Sequence, residues 1–251
     1  MSRPYVISIA GFDPSAGAGI LADVKCFEQH KVYGFGVCTS LTVQNDVNFM
    51  QVNWLPATQI IDQLSVLLIR FQPTVCKIGL IENIEVLLQV IKVLKESAPD
   101  VKIVLDPVLG ASAGFEFHDW NDALPKLTPV LNRIDLITPN YNELQQMSAT
   151  SNEDVYAVAK EWSAYCAVLL KGGHNKTEPG TDYLFEKGSV QSFRPRIQHV
   201  YPKHGSGCVL SSAIAAHLAL GKSMTQSCRA AKPYIEQFLN SNTTLLGYHK
   251  L

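Results

Sequence analysis

The stretch "YVISIAGFDPSAGAGILADVKCFEQHK" (5 to 31) opens with a short apolar run, passes through a Gly/Ala loop, and from residue 17 repeats its apolar residues at helical spacing. Strand, loop and helix therefore follow one another within a single short segment, and the same alternation recurs down the chain. "GFGVCTSLTVQ" (34 to 44) leads through a loop to the helix "ATQIIDQLSVLLIRF" (57 to 71), and "TVCKIGL" (74 to 80) precedes the helix "NIEVLLQVIKVLKES" (83 to 97). "KIVLDPV" (102 to 108) precedes a Gly-containing loop and a helix near 119 to 133, while "DLITPN" (135 to 140) and "CAVLLKGG" (166 to 173) read as two more strands. Continuous apolar strands separated by helices predict a mostly parallel sheet covered on both faces. After residue 173 the pattern changes. "TDYLFEKGSVQSF" (181 to 193) reads as a β-hairpin around Lys187-Gly188, and two helices follow, 207 to 221 and about 224 to 240. With no internal repeat, low-complexity tract or linker, one domain spanning 1–251 is expected.

Composition narrows the function classes. The chain has 251 residues, 47% hydrophobic and 17% charged, with a formal net charge of -1. No Lys/Arg cluster longer than a pair occurs, which argues against a nucleic acid or an anionic membrane held mainly by charge. The apolar run at the amino end is too short for a signal peptide, and no stretch approaches the roughly 18 apolar residues of a membrane span, so a cytoplasmic location is expected. The six cysteines show neither CxxC spacing nor a compact disulfide pattern, and read as reduced, mostly structural thiols.

In such a sheet ligands gather beyond the carboxyl ends of the strands, where Gly11, Asp13, Gln44, Asn45, Gly79, Asp106, Asn140, Glu143 and Lys171 to His174 all fall. "GFDPSAGAGI" (11 to 20) lacks both the GxGxxG fingerprint and a following Gly-Lys-Ser/Thr, and is also explained as a tight strand-to-helix connection. Asp23 suits a pocket or simply complements a helix dipole. Asp106 and Glu143 suit a hydrated Mg²⁺ beside phosphates, while Asn140 and Glu143 equally make a helix capping box. Lys171, ending a buried strand, asks for a charged partner such as a phosphate, or else snorkels to the surface.

"HGSGC" (204 to 208) precedes an apolar helix, so the backbone N–H groups of Gly205, Ser206, Gly207 and Cys208 converge on one spot at a helix N-terminus, an anion hole. The same field is expected to lower the Cys208 thiol from its reference value of about 8.5 and make it a proton acceptor near neutral pH. The alternative is a glycine turn followed by a small buried cysteine.

In order, "SIAGFDPSAGAGILADVKCF", "TSLTVQN", "KIGL", "LDPV", "LITPNYNE", "LLKGGH" and "HGSGCVLSSAIAAHLALG" resemble the hydroxymethylpyrimidine/phosphomethylpyrimidine kinases of thiamine biosynthesis, within the ribokinase-like family, over nearly the whole chain. The resemblance implies a three-layer αβα fold and an ATP-dependent kinase that adds a first and then a second phosphate to the hydroxymethyl group of an aminopyrimidine. It implies that Gln44 hydrogen-bonds the aminopyrimidine and that Gly11, Asp23, Leu80, Val108 and Cys208 line its pocket. Asp106 and Glu143 would arrange Mg²⁺ through water, and Asn140, Lys171 and Ser206 would meet ATP. The loop 204 to 208 would cradle the transferring phosphoryl group, with Cys208 as the base. The hairpin at 181 to 193 leaves edges able to pair with another subunit, and dimers are common in the family, so a homodimer is expected. Ala16, Ser206 and Leu80 depart from residues usual there (Gly, Thr and Met). The nearest rival activity is pyridoxal phosphorylation, which Gln44 disfavours. A non-catalytic carrier or sensor would not need the ATP-side residues, and an oxidoreductase would need the missing dinucleotide fingerprint.

Overall fold

A computed structural model describes residues 3–110, 117, 123–148, 154–175, 177–197 and 199–250. Its strands are β1 (Tyr5–Phe12), β2 (Tyr33–Gln44), β3 (Phe49–Trp54), β4 (Val75–Ile78), β5 (Lys102–Leu105), β6 (Leu136–Ile137), β7 (Ala167–Leu170), β8 (Asp182–Glu186) and β9 (Ser189–Phe193). Its helices are α1 (Gly19–Gln29), α2 (Ala57–Arg70), α3 (Ile84–Ser97), α4 (Ala123–Leu131), α5 (Tyr141–Met147), α6 (Val155–Trp162), α7 (Ser206–Ala219) and α8 (Met224–Leu239). All of these strands join one sheet in the order β3-β2-β1-β4-β5-β6-β7-β8-β9. The interior, from β2 through β7, is parallel, whereas β3, β8 and β9 add antiparallel edges.

Period-two alternation sorts each central strand between two cores. Ile7, Ile9, Cys76, Ile78, Ile103 and Leu105 pack with α2 to α6, while Val6, Val75, Val104 and Leu136 pack with α1, α7 and α8. The result is three layers. Parity also decides where the polar residues go: Ser8 and Lys77 share the face of Val6 and Val75, and so lie under α1 and α7. Helix α7 is buried at every position from Val209 to Leu218, as an apolar helix inserted between α1, α8 and the sheet must be.

Several expectations are corrected. The loop after 44 contains β3: Asn45 Oδ1 accepts from the N–H groups of Val47 and Asn48, an Asx turn that folds "FMQVNW" back onto β2. The strand expected at 135 to 140 shortens to two residues plus a bridge between Asn140 and Lys171. The strand at 166 to 173 ends at Leu170 and gives way to a 3₁₀ turn. Helices α5 and α6 were not expected as such, although the capping box that starts α5 was: Asn140 Oδ1 accepts from Glu143 N at 2.9 Å and Glu143 Oε2 accepts from Asn140 N at 2.7 Å. The helix near 119 is described from Ala123, its earlier residues lying outside the described ones. The hairpin turn has left-handed φ at Lys187 (49°) and Gly188 (77°), and β8 continues the main sheet beside β7, leaving β9 alone at that edge. All six cysteines are free thiols.

Between α1, α7 and α8 lies a cluster of aromatic and imidazole rings. His30 stacks edge-on against His217 at 4.8 Å and Tyr234 at 4.4 Å, and Tyr234 Oη lies 2.9 Å from His249 Nδ1. Burial pushes both His217 and His249 down to about 4, with neighbouring His30, Lys222 and Lys25 acting in the same direction. An unfolded histidine titrates near about 6.5, so the unfolded chain gains protons between those values while the native chain does not. Stability from these rings is complete above that range and is lost as pH falls through it. The thermal midpoint should drop by about 5 °C between pH 7.5 and pH 5, and His217→Phe should flatten that slope; a pH-independent midpoint would contradict the buried neutral cluster.

Candidate active site

The loop that starts α7 is built against the loop that starts α1. Gly205, the N-cap of α7, has φ +72°, and a Cβ there would lie 2.1 Å from the Gly17 carbonyl oxygen, so glycine is required on both conformational and steric grounds. Asp13 locks the two loops together. Its carboxylate accepts from the N–H groups of Ser15 (2.9 Å), Gly17 (3.1 Å) and Ala18 (2.8 Å) and lies 2.9 Å from His204 Nε2. Burial works against that charge, but His204, Ser15 and Ala18 outweigh it and hold Asp13 below its ordinary value. His204 N donates in turn to Leu245 O at 2.9 Å, which ties the carboxyl-terminal segment to the loop. Ala16 adopts φ +56°, a left-handed conformation that glycine takes up without steric cost.

Two lysine–carboxylate pairs lie beneath α7. In the first, Lys171 Nζ is 2.8 Å from Asp106 Oδ1 and 3.5 Å from Glu143 Oε2. Thr138 Oγ1 donates to Asp106 Oδ1 at 3.1 Å and Ser211 Oγ to Oδ2 at 3.2 Å. Burial raises the Asp106 carboxyl, but Lys171 and Lys77 pull it below its ordinary value; Glu143 is raised, since burial and the Asp106 charge together exceed the help from Lys171. In the second pair, Lys77 Nζ lies 3.0 and 2.9 Å from the two Asp23 oxygens, with no exposed surface on either side chain. Ser8 Oγ and Ser212 Oγ complete Asp23 at 2.5 and 2.6 Å.

Cys208 stands on α7 three and four residues ahead of Ser211 and Ser212, and therefore over both pairs. The Gly19 N–H, at the first turn of α1, faces its sulfur. The expectation of a thiol lowered toward neutrality is corrected: burial pushes Cys208 up to about 11, Lys77 pulls it down, and Asp106 and Asp23 oppose Lys77. A helix N-terminus contributes up to about 2 kcal/mol, too little to reverse that burial.

The structure gathers Gly205, Ser206, Gly207, Cys208, Asp106, Asn140, Glu143 and Lys171 at one end of the sheet; a Cβ on Gly207 would lie 3.4 Å from Lys171 Nζ. Gly11 and Leu80 adjoin one another beside Ser40. Val108 is half-buried two residues past Asp106, and its N–H donates to Asp106 O. Gln44 is at the far end of β2, where its amide donates to Thr42 Oγ1 at 2.8 Å and it lines an open depression with Phe49 and Met50. Asp23 lies under the site instead of on its wall, with both oxygens engaged. The sequence reading did not single out Lys77, Ser8, Ser211, Ser212 or the Asp13–His204 bridge. Asp106 and Glu143 are hard oxygen donors flanking a lysine, a set suited to a hydrated Mg²⁺ shared with phosphates.

The close fit at Gly205 is testable. Gly221 also has positive φ (83°) but nothing within 4 Å of an added Cβ. Gly221→Ala should cost about 1 kcal/mol from conformation alone, whereas Gly205→Ala should cost at least twice as much in urea unfolding because the Gly17 carbonyl must move. Equal costs would show that the two loops are not in close contact.

The family model for phosphomethylpyrimidine kinase matches residues 13–250. A hydroxymethylpyrimidine/phosphomethylpyrimidine kinase of Aquifex aeolicus is 35% identical over 249 residues, covering 96% of this chain and 97% of its own. The crystal structure of a phosphomethylpyrimidine kinase from Clostridium difficile superposes with a TM-score of 0.77 at 30% identity, covering 93% of this chain and 98% of that one. A Bacillus subtilis pyridoxal kinase, solved as an ADP complex, superposes with a TM-score of 0.80 at 27% identity, covering 93% of this chain and 90% of that one. With matches that run nearly end to end, the chain belongs to the phosphomethylpyrimidine kinase family.

Proposed function

We propose that this chain is the ATP-dependent kinase that phosphorylates 4-amino-5-hydroxymethyl-2-methylpyrimidine and then converts the monophosphate to the diphosphate, in the cytoplasm, for thiamine biosynthesis. The observation that carries the reading is the position of Cys208: a thiol in the first turn of α7, immediately after the glycine loop 205–207, directly over the Asp106–Lys171 and Asp23–Lys77 pairs. One domain, 1–251, supplies every residue invoked. Among the described residues no helix is long and apolar enough to cross a membrane.

Phosphoryl transfer has a loose transition state in which charge spreads over the phosphoryl oxygens, so positioning and neutralisation dominate. The N–H groups of Gly205 to Cys208 receive that charge, and Lys171 faces the ATP phosphates together with Asn140 and Ser206. Asp106 and Glu143 would hold Mg²⁺ through water, and the ion would supply further neutralisation of the phosphates. Cys208, as thiolate, accepts the hydroxymethyl proton as the new P–O bond forms to the γ-phosphorus of ATP and its bond to the β-phosphate oxygen breaks, releasing ADP. The pyrimidine ring is read by Gln44, whose carboxamide offers both a donor and an acceptor, and is flanked by Gly11, Leu80 and Val108, with Asp23 setting the charge beneath. The β2–β3 hairpin exposes Leu41, Val43, Val47 and Met50, an apolar edge that supports a homodimer, which a mass of two chains in light scattering would verify.

Pyridoxal is the second substrate to test, because the Bacillus subtilis pyridoxal kinase shares the fold. Incubation with Mg-ATP and each alcohol, read by mass spectrometry, should give the pyrimidine mono- and then diphosphate; pyridoxal phosphate alone would transfer the assignment to pyridoxal, and no product from either would refute the kinase. Gln44→Leu should lower kcat/KM for the pyrimidine about tenfold by leaving polar ring groups unpaired. Because burial holds Cys208 up to about 11, kcat/KM should climb with pH between 7 and 9 as the thiolate population grows. Cys208→Ala should cut kcat at least about 100-fold and abolish that climb; an unchanged rate would remove Cys208 as the base.

A further inference from the structure

The Asp106–Lys171 pair is accounted for by phosphate and metal binding, but the Asp23–Lys77 pair is not. Ser8 and Lys77 are direct cross-strand partners on β1 and β4, both on the face covered by α1 and α7. Above them the two helices match turn for turn. Gly19 of α1 faces the Cys208 sulfur, and four residues further along each helix Ser212 Oγ donates to Asp23 Oδ1 at 2.6 Å. Lys77 Nζ closes the lower turn, 3.0 and 2.9 Å from the Asp23 oxygens. An ammonium has three donors, and among the described residues no acceptor beyond Asp23 is hydrogen-bonded to this one. Gly79 makes room for it, since a Cβ there would come within 2.9 Å of Nζ.

We propose that Lys77, held by Asp23, is a positioning residue for Cys208: its buried ammonium stabilises the thiolate, while the Asp23–Ser212 bond fixes the helical turn that carries it. The inference rests on the reading of Cys208 as the base. Four charged groups act on the thiol: Lys77 from β4, Lys171 after β7, Asp23 from α1 and Asp106 after β5. Lys77 is the foremost favourable influence among them, and its loss leaves two carboxylates against one lysine. A core ion pair serving stability alone would carry no such consequence for the sulfur.

Opposed variants separate the two roles. Asp23→Asn removes an anion and leaves the Lys77 ammonium favoured by the charges of Asp106 and the Cys208 thiolate, while Lys77→Met/Asp23→Asn removes both charges without leaving a buried carboxylate unpaired. The readout is the rate of Cys208 alkylation by iodoacetamide in the free protein, followed at pH 8 by the mass of the peptide carrying Cys208. The double variant should lose about tenfold in thiolate and alkylate about threefold more slowly, because a more basic thiolate is also more nucleophilic. Asp23→Asn should alkylate faster than wild type. Pyrimidine kcat should fall about tenfold in the double variant with KM for ATP unchanged. Alkylation at the wild-type rate in both variants, or shifts in the same direction, would overturn the proposal. Should the double variant not fold, Asp23→Asn alone decides, since slower or unchanged alkylation contradicts a dominant Lys77 charge. Shifted alkylation in a protein without kinase activity would instead overturn the kinase reading, so the two failures are distinguishable.

Discussion

A lysine ammonium placed inside a sheet covered on both faces must meet a carboxylate, because an uncompensated buried charge costs several kcal/mol. Lys77 has no exposed surface and Lys171 little, and each stands in or at the end of an otherwise apolar strand. Their answers, Asp23 and Asp106, come from a helix and from a strand end respectively. Once these pairs are formed, the remaining oxygens need donors, and Ser8, Ser212, Thr138 and Ser211 supply them. Two of those serines lie on α7. The demand for charge compensation therefore sets where α7 sits on the sheet and how it is rotated, and with it the position of Cys208.

The same arrangement makes the carboxyl ends of the central strands chemically active. The first turn of α7 offers N–H groups that have no partner within the helix, and Gly205, with no side-chain cap, leaves that end uncovered, Ser206 N making only a long 3.4 Å bond to Lys203 O. Asp13 holds this loop against the one preceding α1, so two helix N-termini approach the same sulfur. Positive potential from lysines and helix ends is thereby concentrated where, in the proposed reaction, a phosphoryl group and a thiolate would both carry negative charge, while carboxylates behind the lysines make their burial tolerable. Such preorganised charge is the principal resource of a phosphoryl-transfer site.

Much of this was legible locally. Apolar runs marked the parallel strands, Lys187-Gly188 marked the hairpin, and Asn140 with Glu143 marked a helix start. Strand β3 escaped because it is a half-exposed edge whose signal is the Asx turn at Asn45, and not a hydrophobic run. At Cys208 the helix field is visible in sequence, and the burial that outweighs it is not. Lys77 is the instructive omission. It carries the same signal that drew attention to Lys171, a lysine within an apolar strand, but its partner lies 54 residues away, and Asp13 and His204 are 191 apart. Distances of that kind are set by topology. The roles proposed for Gln44, Leu80 and Val108 rest on family resemblance, since nothing in their immediate sequence specifies a pyrimidine.

The measurement that bears most directly on this account is a crystal structure with Mg²⁺, a non-hydrolysable ATP analogue and hydroxymethylpyrimidine bound together. The expected complex has the hydroxymethyl oxygen about 3 Å from the Cys208 sulfur and the terminal phosphate against the N–H groups of Gly205 to Cys208, with the Lys77–Asp23 pair intact beneath. A pyrimidine whose hydroxyl points away from Cys208, or a terminal phosphate held elsewhere than at the α7 N-terminus, would contradict it.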